Sequence, residues 1–199
     1  ATDNPVFPGG QHVPLALHGG NFMGQHVGLV SDALSNALCV LAGLAERQIA
    51  RVTDELLNRG LPAFLHEGTG GLNSGFMGAQ VTASALLAEM RTSGPASMHS
   101  ISTNGANQDV VSMGTIAARL AYDKLGSLFQ IQAIMALCVA QAIDLRSMQD
   151  RPSAFSSNAL MLRDFVRTIS GRLDMDRPLG TEIDALAKIM SHQKLPRSS

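Results

Sequence analysis

Tryptophan is absent from this 199-residue chain, tyrosine occurs once, and aromatic residues make up only 4% of it. A core built with so few rings must be filled by aliphatic side chains and the 10 methionines. Cysteine is nearly absent too. Cys39 and Cys138 are too few for a disulfide framework and match no zinc spacing, which fits a reducing, cytoplasmic setting. Charged residues are scarce at 16%, against about 25% in an ordinary soluble domain. With apolar content at a full 45%, this argues against disorder and for surfaces that face protein rather than water. Fifteen basic residues against 16 acidic ones leave a net charge of −1, so no electrostatic footprint for nucleic acid or an anionic membrane exists.

The opening ATDNPVFPGG has no initiator methionine, basic n-region or apolar h-region, and reads as the interior of a longer chain rather than a targeting peptide. Alternating strand patterns and internal repeats are also missing. Proline does not occur from Ala96 to Arg151, whereas 13 of the 19 glycines precede residue 79. The periodicity predicts a loop to about Gly20 and helices over 21–58, 75–91, 107–145, 153–170 and 180–192. The first carries Leu34, Leu38, Leu41, Ala45 and Gln48 at helical spacing and stops at Asn58-Arg59-Gly60 before Pro62. Ser153 after Pro152 opens the fourth. The class is all-α, a long-helix bundle whose apolar excess suggests an obligate oligomer. Residues 1–150 read as the long-helix core and 151–199 as C-terminal helices. Two weakly charged runs, Val27 to Ala45 and Lys124 to Asp144, approach membrane-span length. Asp32 in the first, and Gln130, Gln132 and Gln141 in the second, favour helices buried in protein on nearly all sides.

The chemistry-bearing residues are sparse. His12, His18, His26, His66, His99 and His192 form no compact metal-ligand spacing, so no metal site is expected. Gly68-Thr69-Gly70-Gly71-Leu72-Asn73-Ser74-Gly75 lacks the preceding strand and following lysine of a phosphate loop. It reads as a flexible connection giving close backbone approach to a neighbour. Cys39 and Cys138 lie in apolar helical runs, and no serine sits in a nucleophile-elbow motif. The most polar stretch, 100–109, places Asn104 and Gln108 four apart where a helix is expected to begin. They would either present two amides to one place or serve as a helix cap and interhelical hydrogen bonds.

Five segments go further: TDNPVF at 2–7, HGGNFMGQ at 18–25, LAERQIAR at 44–51, GLNSGFMGAQVTA at 71–83 and GPASMHSISTNGANQDVVSMGT at 94–115. Together they resemble the aromatic amino acid ammonia-lyases and their aminomutase relatives, nearest the bacterial tyrosine-cleaving branch. The likeness runs in register from residue 2 to about Asp144 and more loosely beyond. It implies the C-terminal part of a homotetramer of the fumarase/aspartase-like type, with active sites shared among subunits. It also implies a 4-methylidene-imidazol-5-one (MIO) electrophile formed from an Ala-Ser-Gly triad. No such triad occurs here, since Asn73-Ser74-Gly75, Thr92-Ser93-Gly94 and Ile169-Ser170-Gly171 have the wrong first residue. The electrophile, the carboxylate-gripping arginine and the base are therefore expected in the remaining N-terminal part.

By position the resemblance makes Phe22 the phenylalanine beside the electrophile, Met77 and Val81 walls of the aryl pocket, and Asn104 and Gln108 the polar pair at the amino-acid end of the substrate. No catalytic residue is expected in this segment itself. Histidine ammonia-lyases usually carry Asn-Gln-Glu-Asp where this chain has Asn107-Gln108-Asp109, and plant phenylalanine ammonia-lyases carry glutamate where Asn104 stands. The expected activity is elimination of ammonia from L-tyrosine to trans-p-coumarate, and from phenylalanine to cinnamate. The alternatives are an aromatic aminomutase, a histidine ammonia-lyase, or a non-catalytic helical assembly module.

Overall fold

The computed structural model describes residues 5–10, 15–19, 22–69, 71–149 and 155–192. Its helices are α1 (Gln25–Thr53), α2 (Met77–Thr92), α3 (Gly114–Ser147), α4 (Ser157–Arg167) and α5 (Gly180–His192), with short 3-10 turns at Ala63–Leu65 and Ala96–Met98. No strand occurs among the described residues, only isolated bridges pairing Val6 with Leu17 and Thr103 with Gln108. The expected all-α class of long helices is what the chain adopts. Two compact units arise, Ala1–Asn36 with Gly94–Tyr122, and Ala37–Ser93 with Asp123–Ser199. The division expected at residue 150 falls in a stretch outside the described residues, as does the helix opening expected at Ser153.

Several helix ends differ from expectation, α1 starting at Gln25 rather than 21 and α4 ending at Arg167 rather than 170, and three others have a local reason. α1 stops at Thr53 rather than Asn58. The Thr53 hydroxyl donates back to the carbonyls of Ile49 and Ala50, and the Asp54 carboxylate accepts from Leu56 N–H at 2.9 Å, closing a turn that competes with the helix. The chain reverses only at Arg59 and Gly60, both in the left-handed region. α3 begins at Gly114 rather than 107, because Gln108 is paired with Thr103 in the preceding loop and Met113 holds positive φ, which a right-handed helix does not admit. α4 opens at Ser156, whose hydroxyl accepts from Ala159 N–H at 3.2 Å. α5 has the expected bounds.

The larger unit packs the second half of α1 against α2 and α3 through small side chains. Ala42, Ala45 and Ile49 of α1, Ala79, Ala83 and Leu87 of α2, and Ala133, Ala136 and Ala140 of α3 are buried in one cluster. Alanine at these positions lets helix axes approach closely, which compensates for the missing aromatics. Adjacent positions of α3 from Ile131 to Leu145 are buried, as expected of a helix enclosed by protein. α1 departs from that expectation. Leu38 and Ala45 are buried, but Leu34 and Leu41 of the same predicted stripe are 52% and 51% exposed, in line with exposed Val27, Val30 and Leu44. Both α1 and α3 are long and apolar enough to cross a bilayer by length and composition. Inside the smaller unit, however, the Asp32 carboxylate of α1 is buried and accepts from Ala96 and Ser97 N–H at 3.1 and 2.8 Å.

Polar groups inside the larger unit are few and bonded. Glu46 is buried, held by the Arg47 guanidinium and by the Ser84 hydroxyl of α2 at 2.7 Å. The Arg47 hydrogen bond, set against desolvation, holds its carboxyl below the ordinary range. Lys124 donates to Ser93 O at 3.0 Å, placing a cation at the C-terminal end of α2. Asp144 pairs with Arg163 and Arg167 of α4 at 3.3 and 2.7 Å.

Gln141 is the most connected of them. Its Nε2 donates to Leu65 O and Leu173 O at 3.2 and 3.1 Å, while its Oε1 accepts from Leu173 N–H and Arg167. Replacing it by leucine keeps the volume but strands buried backbone groups, at a cost of about 1–3 kcal/mol for each group left unpaired. Gln141→Leu should therefore lower stability by roughly 3 kcal/mol or more, read as a fall in the denaturant midpoint. Parent-like stability would show that these bonds contribute little.

Candidate functional site

In the smaller unit, glycines bring backbone against backbone. A Cβ on Gly28 would lie 2.7 Å from Ser112 O and 3.4 Å from Ser97 Cβ, so only glycine fits there without displacing backbone. Gly24, from the HGGNFMGQ segment, and Gly114, from the SMGT segment, sit in the same contact. Two of the resembling segments thus meet physically here. Phe22 precedes α1 and is 49% exposed; Gly20 and Asn21 beside it lie outside the described residues.

The loop between Thr103 and Gln108 is a closed hairpin. Thr103 N–H donates to Gln108 O at 3.0 Å, Gln108 N–H returns the bond to Thr103 O at 3.3 Å, and Asn107 N–H donates to Asn104 O at 3.1 Å. Asn104, Gly105 and Ala106 have φ of 55°, 61° and 67°. Three successive left-handed residues are costly for all but glycine, though asparagine tolerates the region best of the others. Helical presentation of Asn104 and Gln108, expected from their spacing, is therefore replaced by presentation from this hairpin. The helix-cap alternative fails as well, since α3 starts ten positions after Asn104. Both amides are exposed, and neither has a side-chain hydrogen-bond partner among the described residues.

In the larger unit, Met77 and Val81 lie one turn apart at the start of α2, 42% and 63% exposed. The glycine-rich segment leading into them gives the expected close approach, but it is tied down. The His66 ring accepts from Gly68 N–H through Nδ1 at 2.8 Å, which leaves Nε2–H to donate to Asp174 O at 3.1 Å. A Cβ on Gly68 would collide with that ring. Gly75 holds φ of 55° with Phe64 O only 2.5 Å from where its Cβ would be. Ser74 and Gly75 N–H donate to the two Asp176 carboxylate oxygens at 2.6 and 2.9 Å, and Asp176 N–H donates to Asn73 Oδ1 at 2.9 Å. The Ser74 bond is foremost in drawing the Asp176 carboxyl below its usual value. Gly70 lies outside the described residues.

Nothing in the sequence singled out His66 and Asp176 as partners of this loop. The signal was a lone aspartate more than a hundred residues away, which periodicity and motif spacing cannot reach.

Burial pushes the Cys138 thiol up, as expected of an inert core cysteine, and Cys39 donates to Met90 O. Among the described residues no group of three His, Cys, Asp or Glu side chains could hold a metal; His12 lies outside them. The three Ser-Gly steps do not suit the electrophile. Besides their first residues, Ser93 O is held by Lys124, Ser170 Oγ by Glu182 at 2.6 Å, and Ser74 N–H by Asp176.

The chain is similar to known proteins over nearly its whole length. The chain is 63% identical to the tyrosine ammonia-lyase of Cereibacter sphaeroides over 192 residues, covering 96% of this chain and 36% of that protein. It is 43% identical to the MIO-dependent tyrosine 2,3-aminomutase of Streptomyces globisporus over 198 residues, 100% of this chain and 36% of that one. A solved structure of tyrosine aminomutase from the same organism superposes with a TM-score of 0.85 at 44% identity, covering 95% and 35% of the two chains. Histidine ammonia-lyase of Natranaerobius thermophilus is 39% identical over 196 residues, 98% and 37% of the respective chains. The chain thus spans little more than a third of the length of these relatives. A family profile described as aromatic amino acid lyase matches residues 1–168, and the chain belongs to that family.

Proposed function

We propose that this chain is the C-terminal part of a cytoplasmic aromatic amino acid ammonia-lyase acting on L-tyrosine. The reaction removes ammonia from Cα and a proton from Cβ, leaving trans-p-coumarate; phenylalanine would give cinnamate. The observation that carries the reading is the 63% identity with a tyrosine ammonia-lyase across nearly the whole chain. The amides of Asn104 and Gln108, without side-chain partners among the described residues, and the exposed apolar side chains of Met77 and Val81 support the residue roles.

The MIO group, formed from a triad outside this chain, supplies the electrophile that makes the amine a leaving group. The residues present do the binding. Asn104 and Gln108 offer neutral hydrogen bonds to the amino-acid end, without a carboxylate that would change the ammonium's protonation. Phe22 supplies an apolar ring beside the electrophile, and Met77 and Val81 supply a dry aryl wall. The exposed row on α1 is the surface that a homotetramer with shared active sites would bury. A tyrosine aminomutase is the second reading, favoured by the 43% identity to that enzyme. In the complete enzyme, accumulation of p-coumarate from tyrosine supports the lyase, and β-tyrosine in its place assigns the aminomutase.

Asn104→Ala in the complete enzyme should lower kcat/KM roughly ten- to a thousandfold, as expected for one or two hydrogen bonds to a charged group. Asn104→Gly should do the same, because glycine accepts the 55° φ without strain. Activity retained by the glycine variant alone would assign the loss to backbone geometry.

Val81→Ala should enlarge the aryl wall and change the ratio of kcat/KM between ring sizes by about 1–3 kcal/mol, roughly 5- to 150-fold. Lowered thermal stability with an unaltered ratio would make Val81 a packing residue.

The 199-residue chain by itself should show no turnover of tyrosine and should self-associate through the α1 face. A tyrosine assay and sedimentation of the purified chain check both. Turnover would overturn the placement of the electrophile outside it, and a stable monomer would overturn the assembly surface.

A further inference from the structure

The entry to α2 is held at three points. Phe76 N–H donates to Phe64 O at 3.0 Å, and Phe64 and Leu65 are both left-handed, with φ of 49° and 58°. Gly75 is pressed against the same carbonyl with its own positive φ. The third hold is the exchange between Asn73, Ser74 and Gly75 on one side and Asp176 on the other, across a separation of about a hundred residues. Two non-glycine residues in the left-handed region carry a strain that neighbouring contacts must offset. Asp176 supplies the only carboxylate bonded to this segment among the described residues. It sits beyond residue 168, where the family match ends.

The residue immediately after this clasp is Met77, and Val81 follows one turn later on the same face. A helix is stiff along its axis, so a shift at its first turn moves both side chains together. We propose that Asp176 is a positioning residue for substrate selection: by clasping Ser74 and Gly75 it sets where Met77 and Val81 stand, and with them the fit of the substrate's ring. This rests on the reading of Met77 and Val81 as the aryl wall. Asp176 touches no substrate. Its effect is on which ring is accepted more than on the elimination itself, so loss of the clasp alters KM for the preferred substrate more than kcat.

The test uses the complete enzyme with Asp176→Ala, Asp176→Asn and Asn73→Ala, and Val81→Ala as a control for the wall. Two readouts are taken: the tyrosine-to-phenylalanine ratio of kcat/KM, with KM and kcat separated, and amide hydrogen exchange over 74–77. Asp176→Ala should speed exchange there and shift the ratio roughly three- to tenfold, mostly through KM. Asp176→Asn keeps one acceptor oxygen and should fall between parent and alanine variant in both readouts, with exchange outside 74–77 unchanged; faster exchange throughout the chain would make Asp176 a general stability residue and overturn the positioning role. Should Asp176→Ala fail to assemble, the asparagine and Asn73→Ala variants carry the same comparison. Faster exchange with an unchanged ratio, while Val81→Ala does shift it, overturns the positioning role alone. Unchanged exchange overturns the clasp. No shift from Val81→Ala removes the aryl-wall reading, and the proposal falls with it.

Discussion

The second half of the 34-residue α3 is enclosed by protein, and the polar side chain at its centre, Gln141, is tolerated there because it is fully bonded. Gln141 reaches the carbonyls of Leu65 and Leu173 and accepts from Leu173 and Arg167. Those bonds connect the turn after α1, the segment after α4 and α4 itself to one point on α3. An apolar residue there would fill the space but leave backbone groups dry and unpaired, which costs more than the added hydrophobic contact returns. The salt bridges of Asp144 with Arg163 and Arg167, one turn along α3, extend the same junction to the surface of the unit. Around it the packing is of alanine on alanine, the consequence of a composition without large rings.

Two pairs of candidate site residues are held by left-handed backbone beside them. Asn104 stands among three successive left-handed residues, and the entry to Met77 passes Phe64, Leu65 and Gly75, all left-handed. Such conformations persist only where surrounding contacts over-determine them. The Thr103–Gln108 bridge does this for the first, and the Phe64 carbonyl with the Asp176 carboxylate does it for the second. The polar pair is thus presented by a closed loop and the apolar pair by a helix with a clamped first turn. In both cases, spacing of four in sequence was a poor guide to how the side chains are held: helical for Met77 and Val81, not helical for Asn104 and Gln108.

Much of this was legible in advance, and for reasons that can be named. Long apolar periodicity without proline predicted one long unbroken α3 and the enclosure of its second half. A serine, glycine or proline at each boundary located α2 and α5 to within two residues. The five resembling segments carry the family likeness by themselves, and two of them meet around Gly28, where a Cβ would strike the Ser112 carbonyl. The start of α3 was misplaced because the pairing of Gln108 with Thr103 and the positive φ of Met113 have no signature in residue type. The exposed face of α1 was misjudged because a buried and an unburied apolar stripe look alike as letters.

By itself the sequence determined the class, the family and the residue types available to a site: two amides, a phenylalanine, a methionine and a valine, and no Ala-Ser-Gly triad. These follow from local periodicity and contiguous motifs, which need no knowledge of distant contacts. Only the tertiary structure decided that α1 buries one face and leaves another open, that the amide pair sits on a hairpin, and that Asp176 grips the entry to α2. Each of those depends on which backbone groups meet across long stretches of chain. A hydrogen bond between residues a hundred positions apart leaves no periodic trace in the sequence that forms it.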